Sequence, residues 1–327
     1  MVAEGRTAVP TMSDADRPLT RFAWLSIGAA LTTMAAKAVA YLLTGSVGLL
    51  SDALESSVNL VAAVVALVTL RIAARPPDAQ HEYGHAKAEY FSAGVEGTMI
   101  VVAALAIAVA AVDRLIHPVT LERLGVGLAV SSAAALVNLV VSVTLTRAGR
   151  RYRSITLEAD GKHLMTDVWT SGGVLVAVGL VAVTGWEPLD PIIALVVAAN
   201  IVVAGWLLLR RSAAGLMDVT LPEADRRAID EVLARHAGPN VGFHALRTRQ
   251  AGRRSFMSVH VLVPGTWSVQ QAHDVVEAVE ADLRAAVPDL TVVCHLEPLE
   301  DPRSFADEGL DRSPVPPSAR PGAGPPT

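Results

Sequence analysis

The sequence predicts an all-α six-helix transmembrane domain followed by a small α+β domain, and three observations lead to this prediction. Of the 327 residues, 52% are hydrophobic and only 18% are charged, whereas an average soluble domain has about 25% charged residues. Six segments approach the length of about 20 apolar residues that a helix needs to cross a hydrocarbon core. After Asp218 the composition turns to that of a soluble protein.

The six predicted spans occupy most of the first two thirds of the chain. They lie at 22–43, 47–70, 94–116, 124–146, 163–184 and 189–209. The second and fifth carry polar residues near their starts. Basic residues collect on one side of the predicted membrane, most densely in the run 147–153. The positive-inside rule makes this side the cytosol, so both termini are predicted to be cytosolic.

The segment after the last span is predicted to form a ferredoxin-like cytosolic domain with the order α-β-β-α-β. Its predicted helices are 222–236 and 268–286, and its predicted strands are 242–250, 254–264 and 290–295. The last residues are rich in Pro, Gly and Ser, a composition typical of disorder. The chain therefore divides into a cytosolic N-terminal tail (1–19), the transmembrane domain (20–212), a cytosolic metal-binding domain (213–300) and a disordered tail (301–327).

Composition and motifs also exclude several classes of protein. Cys294 is the only cysteine, so an intrachain disulfide and a Cys-rich zinc cluster are both excluded. The net charge of -5 is mild and gives no reason to expect nucleic acid as a partner. The spans contain no HExxH motif or comparable nucleophile constellation, so the chain is not predicted to be an enzyme.

Two spans each carry a pair of polar side chains four residues apart, and such groups inside a membrane are functional candidates. Glu55 and Asn59 share one face of the second span, and His163 and Asp167 share one face of the fifth. Together they offer two carboxylates, an amide oxygen and an imidazole, which suits a tetrahedral divalent cation. The alternative is that these residues cap helices at the interface and never meet.

The pattern repeats one turn earlier, and two further polar groups lie within other spans. Asp52 and Asp160 each precede one of the pairs by three residues. They are accessory ligands or guide residues, or else solvated carboxylates near helix ends. Lys37 and Asn138 are interpreted as packing or pairing residues and not as ligands.

Short motifs follow one another along the chain in an order that is specific, although each motif is weak alone. They are Thr44-Gly45-Ser46-Val47, His81-Glu82-Tyr83-Gly84-His85-Ala86-Lys87-Ala88-Glu89, Ala159-Asp160-Gly161-Lys162-His163 with Asp167, Trp186 with Asp190-Pro191, Leu246-Arg247-Thr248-Arg249-Gln250 and Gln271-Ala272-His273. On these motifs, residues 20–300 resemble the cation diffusion facilitator family, in particular its bacterial zinc and ferrous-iron efflux branch.

The resemblance implies a Y-shaped homodimer in a bacterial-type inner membrane. Such a protein exports a divalent transition metal (Zn, Fe or Mn) from the cytosol in exchange for protons, by alternating access. The transport site is implied at Glu55, Asn59, His163 and Asp167. The branch has Asp at both positions of the second span, so Glu55 and Asn59 depart from it. Zn²⁺ is the favoured substrate and regulator, with Fe²⁺, Mn²⁺, Co²⁺ and Cd²⁺ as alternatives.

Histidines outside the spans point to two further metal sites. Asp78, His81 and His85 give a compact Asp-x-x-His-x-x-x-His pattern in the loop after the second span. Its donors suit a small metal site, and the alternative is a polar connector. The resemblance implies a two-metal site near the dimer contact of the soluble domain, formed here by His244, His260, His273, His295 and Glu297. The alternative there is a set of ordinary surface histidines.

One charge pair and one competing function complete the predictions. Lys87 and Asp218 occupy the family's positions for a charge pair linking the membrane and soluble parts, unless they are two unrelated interface charges. The leading hypothesis is a metal/proton antiporter whose soluble domain senses metal. The competing hypothesis is a metal-binding regulatory or scaffold membrane protein that does not transport, and Asn59 favours it because an amide cannot bind and release a proton.

Overall fold

The computed structural model describes residues 17–44, 47–117, 125–186 and 188–306, with some side chains inside helices left undescribed. The chain forms two compact units, Met1–Leu216 and Met217–Thr327. The boundary lies four residues beyond the predicted one at 212/213.

The first unit consists of helices at all six predicted positions. They are α1 (Arg17–Thr44), α2 (Val47–Ala73), α3 (Ala88–Ile116), α4 (Gly125–Arg151), α5 (Ile155–Thr184) and α6 (Leu189–Leu216). The helices pack mainly as the pairs α3 with α6, α4 with α5 and α1 with α2. Among the described residues, four stretches are long and apolar enough to cross a membrane: Leu19–Leu42, Ala88–Ile116, Ala129–Arg151 and Pro191–Leu216.

The helices of this unit approach one another through small residues and present large apolar side chains outward. Ala23 of α1 and Ala63 and Ala66 of α2 are fully buried, which lets backbones come close together. Leu42 and Val183 are largely exposed. An apolar exterior around a small-residue interior is the arrangement that lipid requires.

Helix α5 begins eight residues before its predicted start, and it encloses the polar residues expected near a helix end. Ser154 caps its N-terminus, with the Ser154 hydroxyl accepting from the Leu157 backbone N–H. Gly185 ends it in the left-handed conformation at φ 70°. The candidate site residues of this span, His163 and Asp167, therefore lie on a regular helix at a spacing of four residues.

The second unit has the predicted α-β-β-α-β order. Its elements are α7 (Glu223–His236), β1 (Gly242–Ala251), β2 (Arg254–Val263), α8 (Val269–Ala286), β3 (Leu290–Pro298) and a 3₁₀ turn η1 (Pro302–Phe305). The sheet order is β1-β2-β3, with β1 and β2 antiparallel and β2 and β3 parallel. The parallel pair is connected through α8, which begins with a capping box of Ser268 and Gln271.

The core of the second unit lies between its sheet and its two helices. Val259 and Val261 of β2 are completely buried, as are Ile229 of α7 and Val279 and Leu283 of α8. This layered core leaves the other face of the sheet for polar side chains.

The first six residues of the predicted disordered tail are structured. Residues 301–306 are ordered, because Asp301 accepts from the Arg303 backbone N–H and Ser304 donates to the Pro298 carbonyl. Residues 307–327 lie outside the described part of the structure.

Candidate metal sites

The first candidate site lies inside the helical unit, where α2, α4 and α5 meet at Asp167. Asn59 and Asn138 each donate a side-chain N–H to Asp167 Oδ2, the latter at 3.0 Å. Both asparagines are almost completely buried. The interior thus holds a carboxylate between two amides, contributed by three different helices.

His163 lies one turn before Asp167 on α5 and is buried as well. Neither of its ring nitrogens has a hydrogen-bond partner, and neither does Asn138 Oδ1. A buried imidazole and an amide oxygen without partners are available donors, because such groups are normally satisfied. The side chains of Asp52 and Glu55 lie outside the described part of the structure.

The second candidate site is the loop group Asp78, His81 and His85. One ligand atom of each residue lies within 4.8 Å of the others. His81 Nδ1 and His85 Nε2 are each 3.3 Å from an oxygen of Asp78. Hydrogen bonds from the backbone N–H groups of His81 and Gln80 lower the pKa of Asp78. The carboxylate is therefore ionised, as a metal ligand must be.

The third candidate site is a row of histidines across the sheet of the second unit. His244, His260 and His295 are cross-strand partners on β1, β2 and β3, so their side chains lie beside one another on one face. Glu297 follows His295 by two residues on β3 and therefore points to that same face. A bulge in β1 between His244 and Arg247, with Ala245 at φ 50°, interrupts the regular pairing beside the row.

Glu297 is the common partner of this histidine row. Its Oε2 lies 2.9 Å from His244 Nε2 and 3.2 Å from His260 Nδ1, and its Oε1 lies 3.5 Å from His295 Nε2. Glu297, His244 and His260 are nearly buried, whereas His295 is 64% exposed. One buried carboxylate surrounded by imidazoles is a donor set that zinc and related ions prefer.

Comparison with known proteins assigns the chain to a family. Residues 23–217 match the family model of the cation efflux transmembrane domain, and residues 221–299 match that of the cation efflux protein cytoplasmic domain. The chain belongs to the cation diffusion facilitator family. As a member, it is a cation efflux transporter that exports metal, with a helical transmembrane domain and a C-terminal domain built on a three-stranded sheet, and not an enzyme.

Similar proteins are found in bacteria, and this chain matches them over nearly the whole of their own length. The uncharacterized transporter sll1263 of Synechocystis is 54% identical over 87% of this chain and 92% of its own. The cation-efflux pump FieF of Shewanella oneidensis is 30% identical over 84% of this chain and 92% of its own. A solved metal-bound C-terminal domain of the CzcD transporter from Thermotoga maritima is 30% identical over 24% of this chain and 91% of that chain, with a TM-score of 0.22.

Three residues expected from the cation diffusion facilitator pattern make contacts outside these groups. His273 is exposed on α8, 3.8 Å from Glu277, and is not a member of the compact group around Glu297. Asp218 accepts from Arg249 at 3.2 Å. Lys87 donates to the Leu216 carbonyl at 3.4 Å. The role of each remains a prediction.

Sequence reasoning assigned no site role to two buried polar residues in the spans of this transporter. Asn138 is predicted to be a packing or pairing residue, and its amide does pair, donating to the Asp167 carboxylate. Glu96 of α3, which lies outside every motif noted above, is completely buried. The available signal was the same for both: a polar side chain in the middle of an apolar run.

Proposed function

We propose that this chain is a divalent-metal/proton antiporter that works as a homodimer in a bacterial inner membrane, with six spans and both termini in the cytosol. It moves metal out of the cytosol by alternating access. The observation that supports this function best is the partly buried Asp167 carboxylate, which accepts hydrogen bonds from the amides of Asn59 and Asn138 and lies one helix turn from the unpartnered His163.

The chemistry of this site links metal and protons. A metal ion requires an ionised Asp167 and a neutral His163, so protons and metal compete for the same atoms. Amide N–H groups on Asp167 stabilise its negative charge when no metal is bound. When an amide turns its oxygen inward, it becomes a ligand, so Asn59 can serve both states without titrating.

The donor set favours transition metals without fixing one. Carboxylate and amide oxygens with an imidazole nitrogen suit Zn²⁺, Mn²⁺, Fe²⁺ and Co²⁺, while no thiolate is available for softer selection. We take Zn²⁺ as the first candidate and Fe²⁺, Mn²⁺, Co²⁺ and Cd²⁺ as alternatives. The amide at Asn59 makes Mn²⁺ the strongest competitor, since hard ions bind neutral oxygens well.

The histidine row is proposed as the regulatory site of the transporter. Its donors converge on Glu297 within the soluble unit, with His295 exposed at the edge of the group. An ion bound there would favour one arrangement of the two soluble domains of a dimer over others, and binding to one arrangement shifts the population toward it. His273 and the pair of Lys87 and Asp218 are kept as proposed participants at the dimer contact.

The alternative function is a metal-binding scaffold that does not transport. Asn59 favours it, because Asp167 is already satisfied by two amides and the second span lacks a carboxylate at that position. The two hypotheses differ in flux and agree on metal binding by the soluble unit.

Reconstitution in vesicles separates them. Uptake of Zn²⁺, Mn²⁺, Fe²⁺, Co²⁺ and Cd²⁺ would be measured under an imposed pH gradient for the parent chain, Asp167→Ala and Asn59→Asp. We expect proton-coupled flux that Asp167→Ala abolishes and a changed ion preference in Asn59→Asp. Absence of flux for all five ions, with metal still bound at the soluble unit, would reject the antiporter and leave the scaffold.

A further inference from the structure

A second group of buried polar atoms lies in the helical unit, on α1, α3 and α5. It consists of Ser26, Glu96 and Asp160, each with at most 1% of its surface exposed. Ser26 Oγ, Glu96 Oε2 and both oxygens of Asp160 have no hydrogen-bond partner. None of these atoms is used by the contact between Asp167 and its two amides.

Asp160 lies near each of the other two side chains. Helices α3 and α5 pack together and bring Asp160 close enough to Glu96 for two ionised carboxylates to repel each other. The Ser26 hydroxyl lies close to the Asp160 carboxyl group, although the two do not meet in normal hydrogen-bond geometry. Glu96 Oε1 accepts from Ser92 at 3.1 Å, which orients the Glu96 carboxyl group within its helix.

No Lys or Arg in the described part of the chain pairs with Glu96 or Asp160. Keeping both carboxylates ionised without a partner would cost several kcal/mol per charge, so each carboxyl group needs a proton or a bound cation to neutralise it. The other buried acids that the structure describes in this unit have partners: Glu89 accepts from Ser154, and Glu158 pairs with Arg211.

The position of the group relates it to the first candidate site. Asp160 precedes Asp167 by seven residues on α5, which is about 10 Å along a helix axis. A cation at Asp160 would therefore occupy a different place from one at Asp167, nearer the N-terminal end of α5.

We propose that Ser26, Glu96 and Asp160 form a second binding site for a divalent metal ion inside the helical unit, with oxygen donors only. Two carboxylates neutralise the ion's charge, and the hydroxyl supplies a third oxygen. Such a set prefers hard cations over thiolate-seeking ones, with Mn²⁺ as the suitable probe. The inference rests on the proposed function only in taking a divalent metal as the occupant.

Equilibrium dialysis of the full chain against Mn²⁺ tests this site without any pH gradient. The background variant carries His81→Ala, His244→Ala and His260→Ala, which remove the two histidine groups outside the spans. We expect Glu96→Gln and Asp160→Asn each to lose one Mn²⁺ per protomer relative to this background. Glu96→Asp should keep that ion at reduced affinity.

Two controls define the result. Asp113→Asn removes an exposed carboxylate from the same helix, one that faces His117 at 3.2 Å, and should leave Mn²⁺ binding unchanged. Asp167→Ala should retain the ion that Glu96→Gln loses, because the two sites are separate. The elution volume of each variant reports whether it is folded.

Either of two results overturns the inference. One is that folded Glu96→Gln binds as many Mn²⁺ ions as the background variant. If this variant changes only the pH dependence of flux, the carboxyl groups bind protons and not metal. The other is loss of the same ion in Asp167→Ala. Failure of the transport hypothesis would appear differently, as absent flux in vesicles with the Glu96-dependent ion still bound.

Discussion

At the scale of single residues, Asp167 is the side chain on which three helices depend. Its Oδ2 accepts from Asn59 of α2 and Asn138 of α4, so one carboxylate holds α5 to both. A partly buried carboxylate depends on its hydrogen-bond donors, so losing one of them weakens the contact between the helices. Binding and packing are therefore linked at this residue: a metal that takes Asp167 must also release these amides.

Asn138→Ala tests this dependence. Removing one donor leaves the partly buried Asp167 carboxylate less satisfied, which should cost about 1–3 kcal/mol. We expect a lower midpoint of thermal unfolding for the detergent-solubilised full chain. Asn200→Ala removes an exposed amide from α6 and should leave the midpoint unchanged. Equal midpoints for the two variants would contradict the role assigned to Asn138.

Cys294 provides a second prediction at this scale. Burial raises the pKa of its thiol to about 12, so at pH 8 the thiolate is rarer than in an ordinary cysteine by a factor on the order of 10³. The thiolate is the reactive form, so maleimide labelling of the native chain should be slow and should accelerate as pH rises. Unfolding the chain in guanidinium should restore ordinary rates, and fast native labelling at pH 8 would disprove the assignment.

At the scale of elements, α4 and α5 approach each other at Gly161. A Cβ at this position would lie 2.5 Å from Thr146 Oγ1 and 2.9 Å from the Thr146 backbone nitrogen. Ser142 also donates to the Gly161 carbonyl at 2.6 Å. The glycine is thus required by a close helix crossing and not by a turn.

Gly161→Ala should separate α4 from α5 close to the buried side chains of Asp160 and His163. We expect a lower yield of folded protein and a lower unfolding midpoint, since the clashing atoms include backbone that cannot move aside. Gly172→Ala is the matched control on α5, because a Cβ there meets no atom within 4 Å. Measured by size-exclusion profile and thermal unfolding, similar behaviour of both variants would count against the close crossing.

The elements also indicate how far the sequence could predict this structure. Apolar run length located all six helices, because length and hydropathy are local properties. It placed the starts of α3 and α5 too late, by six and eight residues, because the first turns of these helices carry polar side chains, including Glu89 and Glu158. Their partners Ser154 and Arg211 lie far away in sequence. Whether a given carboxylate lies inside a helix bundle can be predicted only when its partner is known.

The candidate sites, too, were predictable only where their residues lie close together in the sequence or match a family pattern. The loop group was predictable because its three ligands lie within eight residues, and the structure brings them together. The histidine row was predicted through family resemblance, and its cross-strand register gathers His244, His260 and His295 around Glu297. Asn138 is predicted to pack or pair, but its partner Asp167 is not predictable, because nothing local in the sequence relates α4 to α5.

At the scale of the whole molecule, the two compact units correspond to the two family domains. The described metal groups are divided between them, with the loop group in the first unit and the histidine row in the second. Two units with separate cores are expected to unfold in separable transitions. A ligand specific to one unit should therefore move one transition and not the other.

Zn²⁺ binding to the histidine row should stabilise the second unit. At a free Zn²⁺ concentration of about 100 times Kd, the gain is about 2.7 kcal/mol. We expect EDTA to reverse it and Glu297→Gln to reduce it, while Glu231→Gln, an exposed position on α7, keeps it. Calorimetry of the full chain measures both transitions, and an equal Zn²⁺ effect in the two variants would argue against a site at Glu297.

Because translation runs from the N-terminus to the C-terminus, the loop group and the histidine row become complete at different times. The loop group is complete once residue 85 has left the ribosome, after only two helices. The row at Glu297 needs three strands, the last of which ends at Pro298, so it forms only after all six helices have been translated. A nascent chain thus completes its loop group early and its histidine row late, and metal can bind the row only after residue 298 has been translated.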